Sequence, residues 1–142
     1  MKRILPFFLA LLFMTSVLSG CTQSVQIDDL SRTSYIEIRA FSATEHSYTD
    51  YVISDYRLVD EICATLNSLT LEKVRITKPL GRAYTLTFYD IAHRRISGVG
   101  VVYENYIDYN GELYRVTSDC NVTEYLASVL ATQSPQETEV QP

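Results

Sequence analysis

Apolar and polar positions along the 142-residue chain change period several times. From Tyr35 to Phe41 they alternate, with Ile36, Ile38 and Ala40 on one side and Tyr35, Glu37 and Arg39 on the other, the period of a half-buried strand. Leu58, Ile62 and Leu66, with Val59 and Cys63 beside them, recur at helical spacing up to Asn67, behind Ser54 or Asp55 as N-cap. Leu71 to Thr77 reads as a strand closed by the turn Pro79-Leu80-Gly81, and Tyr84, Leu86 and Phe88 alternate with Thr85, Thr87 and Tyr89 in another. Arg95 to Tyr103 is rich in β-formers but carries Gly98 and Gly100, which signal a bend, a bulge or a close backbone approach.

Asn110-Gly111 lies between Tyr106-Ile107-Asp108-Tyr109 and Glu112-Leu113-Tyr114-Arg115-Val116. This dipeptide favours a type I′ turn, because both central residues need positive φ. That register sets Tyr109 opposite Glu112 and Ile107 opposite Tyr114, so Ile107, Tyr109, Tyr114 and Val116 share a side. A second helix is announced by Asn121 as N-cap with Glu124 three residues on, and by Val122, Leu126, Val129 and Leu130 on one face. The expected fold class is α+β, an antiparallel sheet of about five strands with two helices packed mainly on one face. A pure β-sandwich would have no use for the stripe from Leu58 to Leu66.

The first residues follow other rules. Met1-Lys2-Arg3 is basic, and Ile4 to Leu18 is uncharged but, at about 15 residues, shorter than the roughly 20 of a membrane-spanning helix. Leu18-Ser19-Gly20-Cys21 then resembles the lipobox of bacterial lipoprotein precursors. The resemblance implies that residues 1–20 are a signal peptide, that Cys21 receives diacylglycerol and becomes the first mature residue, and that the protein is lipid-anchored on the extracytoplasmic side of the cell membrane. Thr22 stands where an aspartate would mark inner-membrane retention in two-membrane bacteria. Ile53-Ser54-Asp55 leading into Leu58, Val59, Glu61, Ile62 and Leu66, followed by tyrosine-rich strands, is similar to small single-domain lipoproteins of unknown function found mainly in Gram-positive bacteria. That likeness brings no catalytic set with it.

Residues 21–34 then read as the lipidated cysteine and a flexible spacer, 35–131 as the single domain, and 132–142 as a disordered tail. With 46% apolar and 20% charged residues the chain is neither a disordered polyampholyte nor a repeat fibre. Loss of Lys2 and Arg3 with the signal leaves 10 bases against 17 acids, a formal charge of −7, which argues against nucleic acid as a partner. Once Cys21 is lipidated, Cys63 and Cys120 are an even pair in an oxidation-permissive compartment. They read either as a disulfide or as two separate buried thiols.

No nucleophile elbow, zinc-protease motif, phosphate-binding loop, dinucleotide fingerprint or calcium loop occurs. His46 and His93 fall in expected loops without a second ligand at metal spacing, so neither a catalytic nor a metal site is indicated, and no cofactor. Two features stand above background. The 11 tyrosines, with no tryptophan, put Tyr35, Tyr89 and Tyr106 on the outer sides of their strands, where a large rigid ring with a hydroxyl serves recognition. Residues 73–95 hold Lys73, Arg75, Lys78, Arg82, Arg94 and Arg95 against Asp90 alone, a net +5 on an acidic protein.

Lys73, Arg75, Arg94, Arg95, Tyr35, Tyr89 and Tyr106 are therefore the candidate binding residues of a non-catalytic binding or accessory module of the cell envelope. Its partners would be an envelope protein, a peptide or an anionic polymer, besides the membrane that holds its lipid. Two other classes stay open: a small envelope hydrolase whose site is assembled from separate elements around His46 or His93, and a structural protein that associates with itself.

Overall fold

The alternating stretch at the start of the domain becomes strand β1 (Tyr35–Ser42), and a turn brings β2 (Ser47–Ile53) back along it. The computed structural model describes residues 25–75, 81–103 and 105–136. The stretch read as a signal peptide, the lipobox-like run with Cys21, Lys78 and the end of the tail lie outside the described residues. After β2 come α1 (Tyr56–Asn67), β3 (Leu71–Lys73), β4 (Arg82–Tyr89), β5 (Arg95–Val102), β6 (Tyr106–Tyr109), β7 (Glu112–Val116) and α2 (Val122–Leu130). The strands form one antiparallel sheet in the order β2-β1-β4-β5-β6-β7-β3.

The α+β class holds, with seven strands where about five were expected. The additional edge strand β2 reads SYTDYVI, and Tyr48 and Val52 are exposed on it. With one strand neighbour it needs no clean apolar alternation, so the pattern along the chain did not reveal it. The β6–β7 hairpin has the expected register, Tyr109 opposite Glu112 and Ile107 opposite Tyr114, with φ of 53° at Asn110 and 77° at Gly111. Asp55 caps α1 by accepting from the N–H groups of Arg57 and Leu58, and Asn121 caps α2 by accepting from that of Glu124.

Cross-strand register sorts side chains onto two faces. One carries Ile36, Phe88, Ile38, Leu86, Val99, Tyr109, Val101, Ile107 and Tyr114, and these join Val59, Ile62 and Leu66 of α1 and Val122, Leu126 and Val129 of α2 in a single buried cluster. The other carries Tyr35, Glu37, Arg39, Thr85, Thr87, Gly98, Gly100 and Asp108. Below, these are the inner and outer faces.

The segment expected to be a flexible spacer is packed throughout its described part, with Val25 partly buried against the core and Ile27 and Leu30 inside it. Leu30 is 1% exposed in the core, the Asp28 N–H donates to the Tyr109 hydroxyl at 3.1 Å, and the Ser34 N–H donates to the Tyr89 carbonyl at 2.8 Å. Three apolar side chains, Val25, Ile27 and Leu30, in an otherwise polar run are too few to register as an element, yet they join the core cluster. The folded unit therefore begins before Tyr35. Beyond α2, the Gln136 N–H donates to the Asp50 carbonyl on the edge of β2 at 2.8 Å, so the tail is held at least to that point.

Cys63 and Cys120 are free thiols, Cys63 buried and Cys120 only partly so. Cys63 faces the core from α1, where burial pushes its thiol up and the Thr33 hydroxyl partly offsets the shift. Cys120 lies in the loop before α2, its carbonyl accepting from the Asn105 side chain.

Candidate functional site

Polar side chains on the outer face follow from the same alternation that builds the core, because each buried residue of β1 or β4 has outward-facing neighbours. Three cross-strand rows result. Tyr35, Tyr89 and Arg95 form the first; Val52, Glu37, Thr87 and Gly98 the second; Asp50, Arg39, Thr85, Gly100 and Asp108 the third. The last two rows contain the two glycines of β5, and there the surface is hollowed into adjoining recesses of about 370 and 430 Å³ that meet at Thr85.

The glycines matter through the space above them. A Cβ on Gly98 would come within 2.3 Å of a guanidinium nitrogen of Arg95, and one on Gly100 within 3.1 Å of Arg82 Nε and 3.2 Å of Asp108 Cβ. Both arginines therefore lie along the floor of the trough instead of standing out from it, an approach of side chains where the glycines had suggested a bend, a bulge or a close approach of backbone. Asp108 holds Arg82 in place as an ion pair. Arg39 grips Asp50 through both carboxylate oxygens, at 2.7 and 2.9 Å, and these hydrogen bonds hold the Asp50 carboxyl below its usual range. Arg95 has no ion-pair partner among the described residues.

An aromatic cluster closes one end of the trough. Tyr35 and Tyr89 stack with centroids 4.8 Å apart and planes 7° from parallel, a direct consequence of their pairing across β1 and β4. The Tyr89 hydroxyl donates to Glu37 at 2.9 Å, which raises its phenol, with partial burial and the Glu37 charge adding to the shift. Tyr35 is raised by burial and then by the Glu37 and Asp90 charges. His93, at φ 58° in the β4–β5 turn, sets Nδ1 3.0 Å from the Tyr35 hydroxyl. Beside it Ile91 is 87% exposed at the turn, and these residues with Val52 and Ser54 line a third recess of about 470 Å³.

Of the residues singled out from sequence, Tyr35, Tyr89 and Arg95 form one row, and Arg94 stands beside it paired to Asp90 at 2.7 Å. Tyr106 is on the outer face but starts β6, opposite Val102, at the other end of the sheet. Lys73 and Arg75 belong to β3 and the residues after it, and Lys73 is paired to Glu112. With β6 and β7 in between, β3 lies about 14 Å from β5 at a strand spacing of about 4.8 Å. The basic residues therefore share an end of the sheet but do not form one patch. Sequence reasoning counted Arg82 in the basic strip without making it a candidate, and passed over Asp108, Glu37 and the Arg39–Asp50 pair. Each is an ordinary surface residue in its own strand, and only the register brings it to the trough.

Among the described residues no group of three or more His, Cys, Asp and Glu side chains is arranged to hold a metal ion, and no helix is long and apolar enough to cross a membrane. His46 is exposed in the β1–β2 turn, and His93 has a phenol as partner. The chain matches no protein-family model, and no curated protein or solved structure shows a significant similarity to it.

Proposed function

We propose that the chain is a lipid-anchored extracytoplasmic lipoprotein and acts as a non-catalytic binding module of the cell envelope, its outer sheet face receiving an extended polar partner, a peptide or a segment of an envelope protein. One observation carries the binding reading: the outer face is hollowed over Gly98 and Gly100 and lined by fixed charges of both signs. In this reading both helices cover the inner face, which keeps the outer face open along its length. A long shallow trough with Arg95 and Arg82 on its floor and Thr85, Thr87 and Glu37 beside them suits hydrogen bonding to a chain laid across the strands. Cys21 supplies the anchor through the lipobox.

A hydrolase reading would centre on His93, whose recess also holds Ser34 and Ser54. The imidazole is exposed and its partner Tyr35 is a phenol held above its usual range, so the base–nucleophile pair that such chemistry needs is not formed there.

Photo-crosslinking in intact cells tests the proposal. A photoreactive residue at Thr87 is expected to give discrete adducts, and one at the exposed Ser128 on α2 none. Gly98→Val, which fills the floor and displaces Arg95, is expected to abolish them. Adducts of equal intensity from both sites, or adducts unaffected by Gly98→Val, would overturn it.

A further inference from the structure

The packed N-terminal segment decides which end of the domain a tether at Cys21 can hold close to a membrane. Asp28 is bonded to Ser97 and Tyr109, and Ser34 to Tyr89, which puts the segment at the end of the sheet where β1 starts, β4 ends and the β6–β7 turn lies. Val25, packed against the core, is four residue steps from Cys21, so the tether reaches at most about 14 Å at roughly 3.5 Å per residue. The eight residues of β1 span about 26 Å at roughly 3.3 Å per residue. A tether shorter than the domain cannot let it stand on its opposite end.

The same end gathers the residues that suit a headgroup layer. Lys73, Arg75, Arg94 and Arg95 all lie at it, because β3 ends and β5 starts there. Ile91 projects from the β4–β5 turn beside the Tyr35–Tyr89 stack. Of the acids at this end, Asp90 and Glu112 are paired with Arg94 and Lys73, Asp55 accepts from the first N–H groups of α1, and Asp28 and Asp29 belong to the tether segment. Arg75 and Arg95 have no acidic partner among the described residues. The opposite end exposes Glu45 and Asp119.

We infer that the domain stands on the membrane by its tether end, with Ile91 and Arg75 against anionic lipid headgroups and the strands running away from the bilayer. This rests on the anchoring reading given above. Its consequence is that the trough opens sideways, along the membrane and not toward it. Basic side chains held within a Debye length of an anionic surface, about 8 Å at physiological ionic strength, are drawn to it, while the acidic far end is kept away.

The test uses the full lipoprotein purified from cells, with Cys120 changed to serine and an environment-sensitive fluorophore on Ile91→Cys or, at the exposed β1–β2 turn, Thr44→Cys. Mass spectrometry first shows whether Cys21 carries diacylglycerol; an unmodified Cys21 overturns the anchoring reading and this inference together. With the lipid present, the protein is reconstituted in phosphatidylcholine vesicles containing a headgroup-labelled quencher. The Ile91→Cys probe is expected to be quenched several-fold more than the Thr44→Cys probe, and the gap should widen when phosphatidylglycerol is added. Equal quenching, or stronger quenching at Thr44→Cys, would overturn the orientation while leaving the anchor standing. The phosphatidylglycerol effect is expected to shrink in Arg75→Gln, and its persistence there at full size would overturn the part assigned to this base.

Discussion

The two faces of the sheet are made by the same strands, yet they are held by different forces. On the inner face Phe88, Leu86, Ile38 and Ile107 are removed from water and joined to both helices, so its geometry is set by packing. On the outer face order comes from charge pairs and ring stacking across strands: Arg39 with Asp50, Arg82 with Asp108, Tyr35 on Tyr89. Packing tolerates little change of volume, whereas exposed polar pairs exchange readily with water and with a partner's groups. A face of the second kind can be spent on recognition without loss of the fold, and this is the physical reason for placing the binding surface there.

The sharpest way to break this comparison is to truncate adjacent residues of β4. Phe88→Ala is expected to destabilise the domain by about 3–5 kcal/mol, and Thr87→Ala, one residue away on the other face, by no more than about 0.5 kcal/mol, both measured by urea denaturation. Comparable losses at the two positions would mean that the outer face is structural after all. A step smaller is Tyr109→Phe, which keeps the inner-face ring but removes the acceptor of the Asp28 N–H. A cost of about 1 kcal/mol, with faster amide exchange at Asp28, would show that the N-terminal segment is tied to the core by this bond. An unchanged exchange rate would mean that Ile27 and Leu30 hold the segment by themselves.

The β4–β5 turn joins the two faces and brings in pH. Asp90 accepts from the N–H groups of Arg94 and Ala92 and from the Arg94 guanidinium, and these bonds hold its carboxyl below the usual carboxylate range. A group whose pKa is depressed on folding stabilises the folded state above its unfolded pKa, and loses that contribution as pH falls through the folded value. Asp90→Asn is therefore expected to lower Tm at neutral pH, and the gap from the parent should shrink as the pH is taken below about 4. A gap independent of pH would assign the effect to turn geometry instead of charge. The smallest expected effect is at Arg39 and Asp50. A double-mutant cycle should return a coupling of about 0.2–1 kcal/mol, weakened by salt, as for other exposed pairs.

Local chemistry made much of the fold legible. Asn110-Gly111 specified its hairpin because few residue pairs accept two successive positive φ values, and Asp55 and Asn121 marked both helix starts because their side chains satisfy N–H groups of the first turn. Strand β2 was hidden because an edge strand with one neighbour can leave Tyr48 and Val52 exposed and so blur the alternation. The polar run before Tyr35 looked like a spacer because three scattered apolar side chains, Val25, Ile27 and Leu30, carry no sustained period. The site was legible only in fragments: Tyr35, Tyr89 and Arg95 were singled out individually, and their common row depended on the pairing of β1, β4 and β5. The basic strip was legible as composition, but its spread across the width of the sheet was not.

Sequence by itself determined the alternation that gives the sheet an apolar and a polar face, the caps and the hairpin turn, because each depends on residues within a few positions of one another. It also carries the lipobox from which anchoring is proposed. Tertiary structure decided the rest. The order of strands brings Arg82, Asp108 and Gly100 together across β4, β5 and β6, and turns Arg95 down onto Gly98. The Asn105 side chain, sixteen residues before Asn121, binds the N–H of Val122 and the Cys120 carbonyl at the start of α2. The N-terminal segment is led back to the end of the sheet that carries Ile91. These contacts join residues far apart in the chain, and such pairings follow from burial of the whole inner face at once, not from any local preference.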